Sequence, residues 1–140
     1  MISKKKMAEI EKLDSSWRSN CWNATAFILG VTKRIQWWEE VRMYTLLNKS
    51  CVEVPRSQVR RGDIVALLSK DYKKTESHSD WFSQSHLLHT AVCLGGSNYW
   101  HKPGSEPAGL TSLKAMQDEY ALITKKGLEV RFFRLFKNCT

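Results

Sequence analysis

Long apolar runs are missing from this chain of 140 residues. No stretch approaches the roughly 20 apolar residues needed to span a bilayer, so we expect a soluble protein without an integral membrane segment. The basic start, residues 1–6, is followed by charged residues of helical character and not by the apolar core of a secretory signal. We therefore expect no Sec signal, synthesis in the cytoplasm, and any export by another route.

Cysteines are few, and none of them forms a Cys-x-x-Cys pair: they are Cys21, Cys51, Cys93 and Cys139. This spacing argues against a zinc site of the common kind, and no P-loop is present, so we expect neither a metal nor a cofactor. We expect the four thiols to be reduced at synthesis. The sequence leaves open whether Cys51, Cys93 or Cys139 form disulfides.

Acidic residues are scarce, with 14 against 22 lysines and arginines, for a formal charge of +8. Such a balance favours an anionic partner, which includes nucleic acid, a membrane surface or a cell-wall polymer, or it serves solubility alone. The basic residues do not form one long block, and no zinc-finger or RRM pattern is present. We therefore expect no nucleic-acid partner.

The pattern of apolar residues predicts one α+β domain, residues 1–140, with helices packed on a mostly antiparallel sheet. Helical spacing marks residues 4–17, 21–31, 35–47 and 110–123, and Gly127 is a candidate stop for the last of these helices. Short apolar runs mark strands at 64–68, 89–94, 99–101 and 128–136, with a diglycine hairpin between the second and third. The polar residues 69–85, anchored by Trp81 and Phe82, are a candidate lid. His78 and His86 are expected to be solvated.

Cys21 is the first candidate for chemistry. Ser19 or Asn20 is a good N-cap, which places Cys21 in the first turn of a helix. A thiol there faces unpaired backbone N–H groups and the positive end of the helix dipole, and both favour the nucleophilic thiolate. The same N–H groups can donate to the oxyanion of a tetrahedral intermediate. The competing interpretation is that Cys21 is a small buried core residue.

Two histidines on neighbouring strands strengthen the case for a nucleophile. His89 opens a strand directly after the polar loop, where it can take the proton of a cysteine and return it to the leaving group. His101 ends the next strand of the hairpin, where it can orient the His89 ring and fix its tautomer. Cys93 shares a strand face with His89 and is expected to lie in the core.

These residues resemble a known family, the NlpC-type cell-wall cysteine peptidases, a compact branch of the papain-like fold. Residues 20–27 resemble the family's nucleophile helix, residues 61–65 its Gly-Asp-hydrophobic strand, and residues 89–101 its paired histidine strands. The resemblance implies a papain-like fold with Cys21 as nucleophile, His89 as base and His101 as the residue that orients the base. It also implies cleavage of amide bonds in peptidoglycan stem peptides through an acyl-enzyme.

Three tryptophans are candidates for the substrate groove: Trp22 follows the proposed nucleophile, and Trp81 and Trp100 flank the proposed histidines. An enzyme of this kind takes peptidoglycan or a peptide as substrate. If it were an exported effector, it would also have a secretion-system or immunity partner. The alternatives are a papain-like effector that acts on a host protein as protease, deamidase or acyltransferase, and a catalytically dead papain-like binding module.

Overall fold

The computed structural model describes residues 2–71 and 86–136, with the exception of the His86 side chain. Four helices lie in these segments: α1 (Lys4–Glu11), α2 (Cys21–Ile28), α3 (Glu40–Ser50) and α4 (Leu113–Ala121). Six strands accompany them: β1 (Cys51–Val54), β2 (Ile64–Ser69), β3 (His86–Gly95), β4 (Asn98–His101), β5 (Gly109–Ser112) and β6 (Leu128–Leu135). A short 3-10 helix, Arg56–Gln58, lies between β1 and β2.

The six strands form one sheet in the order β1-β6-β2-β3-β4-β5, and each neighbouring pair is antiparallel. β2 and β3 lie at its centre. In β2 every residue is buried, because side chains alternate between the two faces and both faces are covered. Burial on both faces of the sheet therefore explains the continuous apolar run at residues 64–68.

Two apolar clusters pack against the two faces of the sheet. One face is covered by helices α1, α2 and α3, and its cluster includes Phe27, Met43 and Ala66. The other face is covered by α4, whose Leu113 and Met116 pack on strand residues of the second cluster. Consecutive residues of β2, from Ile64 to Leu68, thus pack alternately on the two clusters.

An ion pair between a buried aspartate and a partly exposed arginine fixes the start of β2. Gly62 adopts a positive φ of 95° in the turn, which few side-chain-bearing residues tolerate. Asp63 follows it in the core, where Nε of Arg134 donates to Oδ1 and a terminal guanidinium nitrogen donates to Oδ2, both at 2.8 Å. The aspartate of this turn therefore joins the start of β2 to β6.

The α+β class is confirmed, while several predicted boundaries are wrong. The first helix ends at Glu11 and the third begins at Glu40, each several residues inside the predicted range. Strands β1 and β5 were not predicted, and β5 takes the residues assigned to the start of α4. Gly127 does not stop α4, which ends at Ala121; it lies before β6 with a φ of 92°.

The predicted lid at residues 69–85 lies largely outside the described residues. The same holds for His78, Trp81, Phe82 and Cys139. Among the helices that are described, each is too short or too polar to cross a membrane.

Candidate active site

Helix α2 begins at Cys21, as predicted, because Asn20 caps it. Oδ1 of Asn20 accepts a hydrogen bond from the backbone N–H of Asn23 at 3.0 Å, which satisfies one of the free amides of the first turn. The amide nitrogen of Asn20 donates to the carbonyl of Trp38 at 2.8 Å. The cap thus also ties the start of the helix to the segment before α3.

Asn23 extends this buried network. Its side-chain oxygen accepts from the hydroxyl of Ser19 at 2.7 Å and from the backbone N–H of Gln36 at 3.0 Å. Its side-chain nitrogen donates to the carbonyl of Arg34 at 2.9 Å. These five hydrogen bonds of Asn20 and Asn23 are made within the protein, and they fix the position of Cys21 at the start of α2.

The Cys21 thiol lies against the backbone of strand β3. The hydroxyl of Thr90 donates to the carbonyl of Cys21 at 3.3 Å and also bonds the hydroxyl of Thr25 at 2.9 Å. Burial raises the pKa of the thiol to about 12. Backbone N–H groups of Thr90, Trp22 and Cys21 act in the opposite direction, as does the charge of Lys102. The resting thiol is therefore neutral and surrounded by donors.

His89 and His101 meet on the α4 face of the sheet, as the hairpin prediction required. Nε2 of His89 and Nδ1 of His101 are 2.8 Å apart, and the two rings stand edge to face with centroids 4.9 Å apart. Burial and the neighbouring His101 lower the pKa of His89 well below its ordinary 6.5. Burial lowers the pKa of His101 to about 4. Both imidazoles are therefore neutral at physiological pH.

Tyr120 of helix α4 is a third partner that sequence reasoning missed. Its hydroxyl lies 3.0 Å from Nδ1 of His89, and its ring stacks on the imidazole with centroids 4.5 Å apart and planes at 18°. Burial raises the pKa of Tyr120, and a negative charge at Cys21 raises it further, so the phenol stays protonated. Tyr120 shares a helix face with Leu113 and Met116, and this spacing is the signal that indicates it faces the sheet.

The expected bond between the Cys21 sulfur and the His89 ring is absent. Among the described residues, both ring nitrogens of His89 have other partners, namely His101 and Tyr120. Strand alternation explains the arrangement: Thr90 points toward α2, whereas His89 points toward α4. The sulfur reaches the strand at the backbone N–H of Thr90, one residue from His89. The predicted contact between the Cys21 sulfur and a ring nitrogen of His89 is therefore wrong: the sulfur contacts the backbone of Thr90, and the His89 ring points toward α4.

Lys102 is a buried cation beside the start of α2, and it was also missed. Its ammonium donates to the carbonyls of Ser16, Ser19 and Gly104 at 2.8, 2.9 and 2.8 Å. Three carbonyls match the three donors of an ammonium group, so the charge is buried with every hydrogen bond made. Nothing in the sequence pattern separates this lysine from an exposed one.

We predict that Lys102→Met lowers the free energy of unfolding by about 3 kcal/mol, because three buried carbonyls lose their donor. Lys114→Met is the matched control, since the Lys114 side chain is 84% exposed and forms an ion pair with Asp118. The control is expected to change stability by no more than about 0.5 kcal/mol. Urea unfolding of both variants measures the difference. Equal stability of the two variants would show that the buried ammonium contributes nothing.

The tryptophans differ from prediction. Trp100 is 1% exposed and donates its indole N–H to Glu11 at 2.9 Å, so it is a core residue and not part of a groove. It precedes His101 on β4, so the two side chains must point to opposite faces. Trp22 is partly buried, and its indole N–H has no hydrogen-bond partner within the described residues. Trp17 and Trp37 form an exposed pair with ring centroids 5.2 Å apart.

Of the other cysteines, Cys51 and Cys93 are described, and both are buried. Cys93 is buried in the second apolar cluster, which confirms the core prediction. No disulfide joins Cys21, Cys51 and Cys93 to one another. In residues 2–71 and 86–136, no three His, Cys, Asp or Glu side chains are grouped in a way that could hold a metal ion.

Comparisons with known proteins give no family or function for this chain. A scan against models of protein families, a search of curated proteins and a search of solved structures each found no match to this chain.

Proposed function

We propose that this protein is a papain-like cysteine hydrolase that cleaves amide bonds, with Cys21 as nucleophile, His89 as base and His101 as the residue that orients the base. One observation carries the proposal. The sulfur of a cysteine at the start of a helix accepts from the backbone N–H of Thr90, and Thr90 follows a buried histidine whose ring is bonded to a second histidine. A cysteine that serves only as a core residue does not require backbone donors and a histidine pair close to it.

The reaction begins with two neutral groups. The Cys21 S–H bond breaks as the sulfur attacks the substrate carbonyl, and the proton passes to Nδ1 of His89. Backbone N–H groups of Cys21 and Trp22, already directed at the sulfur, are the nearest donors for the oxyanion. The imidazolium then gives its proton to the leaving amine, and water releases the acyl group. Before the first transfer, the hydrogen bond between Nδ1 and the Tyr120 hydroxyl must break so that Nδ1 can accept the proton of the thiol.

The proposed substrate is the stem peptide of bacterial peptidoglycan. Two features support it: the resemblance of residues 20–27, 61–65 and 89–101 to the NlpC-type peptidases, and a charge of +8 that favours an anionic polymer. The partner of the enzyme is then the cell wall itself. If the protein is an exported effector, a secretion system or an immunity protein is a second partner.

Purified sacculi test this assignment directly. Incubation with the protein is expected to release new muropeptides with one amide bond cut, and Cys21→Ala protein is expected to release none. The new N-terminus identifies the scissile bond. If an electrophilic peptide forms a covalent adduct on Cys21 of the wild-type protein yet sacculi are left unchanged, the cell-wall assignment is wrong, and a host-protein substrate becomes the leading candidate.

A second candidate function has its own support, namely a papain-like binding module without turnover. Both nitrogens of His89 are occupied, and burial raises the pKa of the thiol to about 12. A site with a hydrogen-bonded imidazole and a neutral thiol can bind a ligand without reacting with it. Trapping decides between the two: a peptide with an electrophilic carbonyl forms a covalent adduct on Cys21 in an enzyme and leaves a binding module unmodified.

We predict a broad pH plateau for kcat/KM, because the resting thiol and imidazole are both neutral. The base must be unprotonated, so activity falls only when pH drops below the pKa of His89, which lies well below 6.5. The thiol does not ionise on its own until pH approaches its pKa of about 12. The measurement is a pH–rate profile on a soluble muropeptide. An acid limb centred near 6.5 would contradict a buried neutral base.

A further inference from the structure

The hydrogen-bonded chain of Tyr120, His89 and His101 allows two arrangements of protons. A neutral imidazole has one N–H donor and one lone pair. In the first arrangement, Tyr120 donates its O–H to Nδ1 of His89, and the Nε2–H of His89 donates to Nδ1 of His101. In the second, every donor is reversed, and His89 carries its proton on Nδ1. Only in the first can Nδ1 accept a proton from the thiol.

The surroundings of Tyr120 favour the first arrangement. The described structure gives its hydroxyl one hydrogen-bond partner, Nδ1 of His89. In the second arrangement the phenolic proton would therefore have no acceptor within the described residues. A phenol is also a stronger donor than a neutral imidazole, and an imidazole lone pair is a stronger acceptor than a phenolic oxygen. The stacked rings hold this geometry, with planes at 18°.

We propose that Tyr120 is a positioning residue for the base: its hydroxyl keeps Nδ1 of His89 unprotonated and holds the ring in the orientation that can accept the Cys21 proton. The proposal rests on the proposed function, in which His89 is that base. His101 acts from the other side of the ring by accepting from Nε2–H. The two partners together select one tautomer.

The transfer then proceeds with protons and bonds balanced. The S–H bond of Cys21 breaks, an N–H bond forms at Nδ1 of His89, and the Tyr120 hydroxyl loses its acceptor. Cys21 and Tyr120 are close enough for a charge on the sulfur to act on the phenol. The hydroxyl therefore turns to the new thiolate, which is a stronger acceptor than the thiol. Tyr120 neither gains nor loses a proton in this step.

Nitrogen NMR of histidine-labelled protein tests the proposal without any substrate. In the wild-type protein, the Nδ1 shift of His89 is expected to be that of an unprotonated nitrogen and the Nε2 shift that of a protonated one. Tyr120→Phe is expected to produce a mixture of the two tautomers. Tyr99→Phe is the matched control, since Tyr99 is a buried tyrosine of the same apolar cluster, and it is expected to leave His89 unchanged.

Kinetics on a soluble muropeptide provide the second measurement. Tyr120→Phe is expected to lower kcat roughly five- to tenfold, the equivalent of one lost hydrogen bond, with little change in KM. A protonated Nδ1 in the wild-type protein, or a single unchanged tautomer in Tyr120→Phe, would overturn the proposal. If the NMR results are as expected while no variant cleaves any muropeptide, the positioning role stands and the proposed substrate fails.

Discussion

Cys21→Ala is expected to release no cleaved muropeptide above the rate measured without protein. The alanine has no atom that can attack a carbonyl, so the covalent intermediate cannot form. We expect neither of the other described cysteines to replace the sulfur, because Cys51 begins β1 and Cys93 lies in the cluster on the α4 face. Product release from sacculi and the mass of the trapped acyl-enzyme both measure the loss.

Cys93→Ala is the matched control for this variant. It makes the same substitution at another buried cysteine of the sheet core. Activity per folded molecule is expected to be unchanged, while stability falls by about 1 kcal/mol or more because a small cavity is left. Equal loss of turnover in the two variants would place the nucleophile elsewhere. Full activity of Cys21→Ala would have the same meaning.

The start of the nucleophile helix could be predicted from local chemistry alone. Asn20 is a strong N-cap, and a cap is set by residues within one turn, so the sequence contains the whole signal. The hairpin that joins the two histidine strands is equally local, because its diglycine turn and alternating apolar residues fix the register. The prediction that Cys21, His89 and His101 lie in the same region of the fold rested on these two signals.

The partners of the site could not be predicted in the same way. Tyr120 comes from a helix that follows β5, and it bonds His89 across 31 positions of the chain. Lys102 is satisfied by three carbonyls, which no sequence pattern records. The two missed strands, β1 and β5, are four residues long and lie at the edges of the sheet, where the apolar pattern is weakest.

Strand alternation alone is enough to place Trp100 in the core once His101 faces His89. Trp100 and His101 are consecutive on a strand, so a histidine that faces His89 forces the tryptophan to the opposite face. The structure places Trp100 in the core beside α1, where Glu11 accepts from its indole. The exposed aromatic side chains near α2 are instead Trp17 and Trp37, which the apolar pattern did not separate from core residues.

Replacing the two histidines is expected to give unequal losses. His89→Ala removes the group that takes the thiol proton and returns it to the leaving amine, so kcat should fall by about 10²–10⁴-fold. His101→Ala leaves the base in place and removes the acceptor of its Nε2–H, a loss of about tenfold. Initial rates on one soluble muropeptide, corrected for the folded fraction, measure both.

His101→Asn separates orientation of the base from mere packing. An asparagine oxygen can accept from Nε2–H of His89, whereas alanine cannot, so part of the His101→Ala loss should return. If His101 serves only for packing, the activity of its variants would vary with side-chain volume and measured stability. The asparagine oxygen would then restore no activity. If His101→Ala costs as much as His89→Ala, then His101 takes part in the proton transfer itself. If His89→Ala retains full activity, the base has been assigned to the wrong residue.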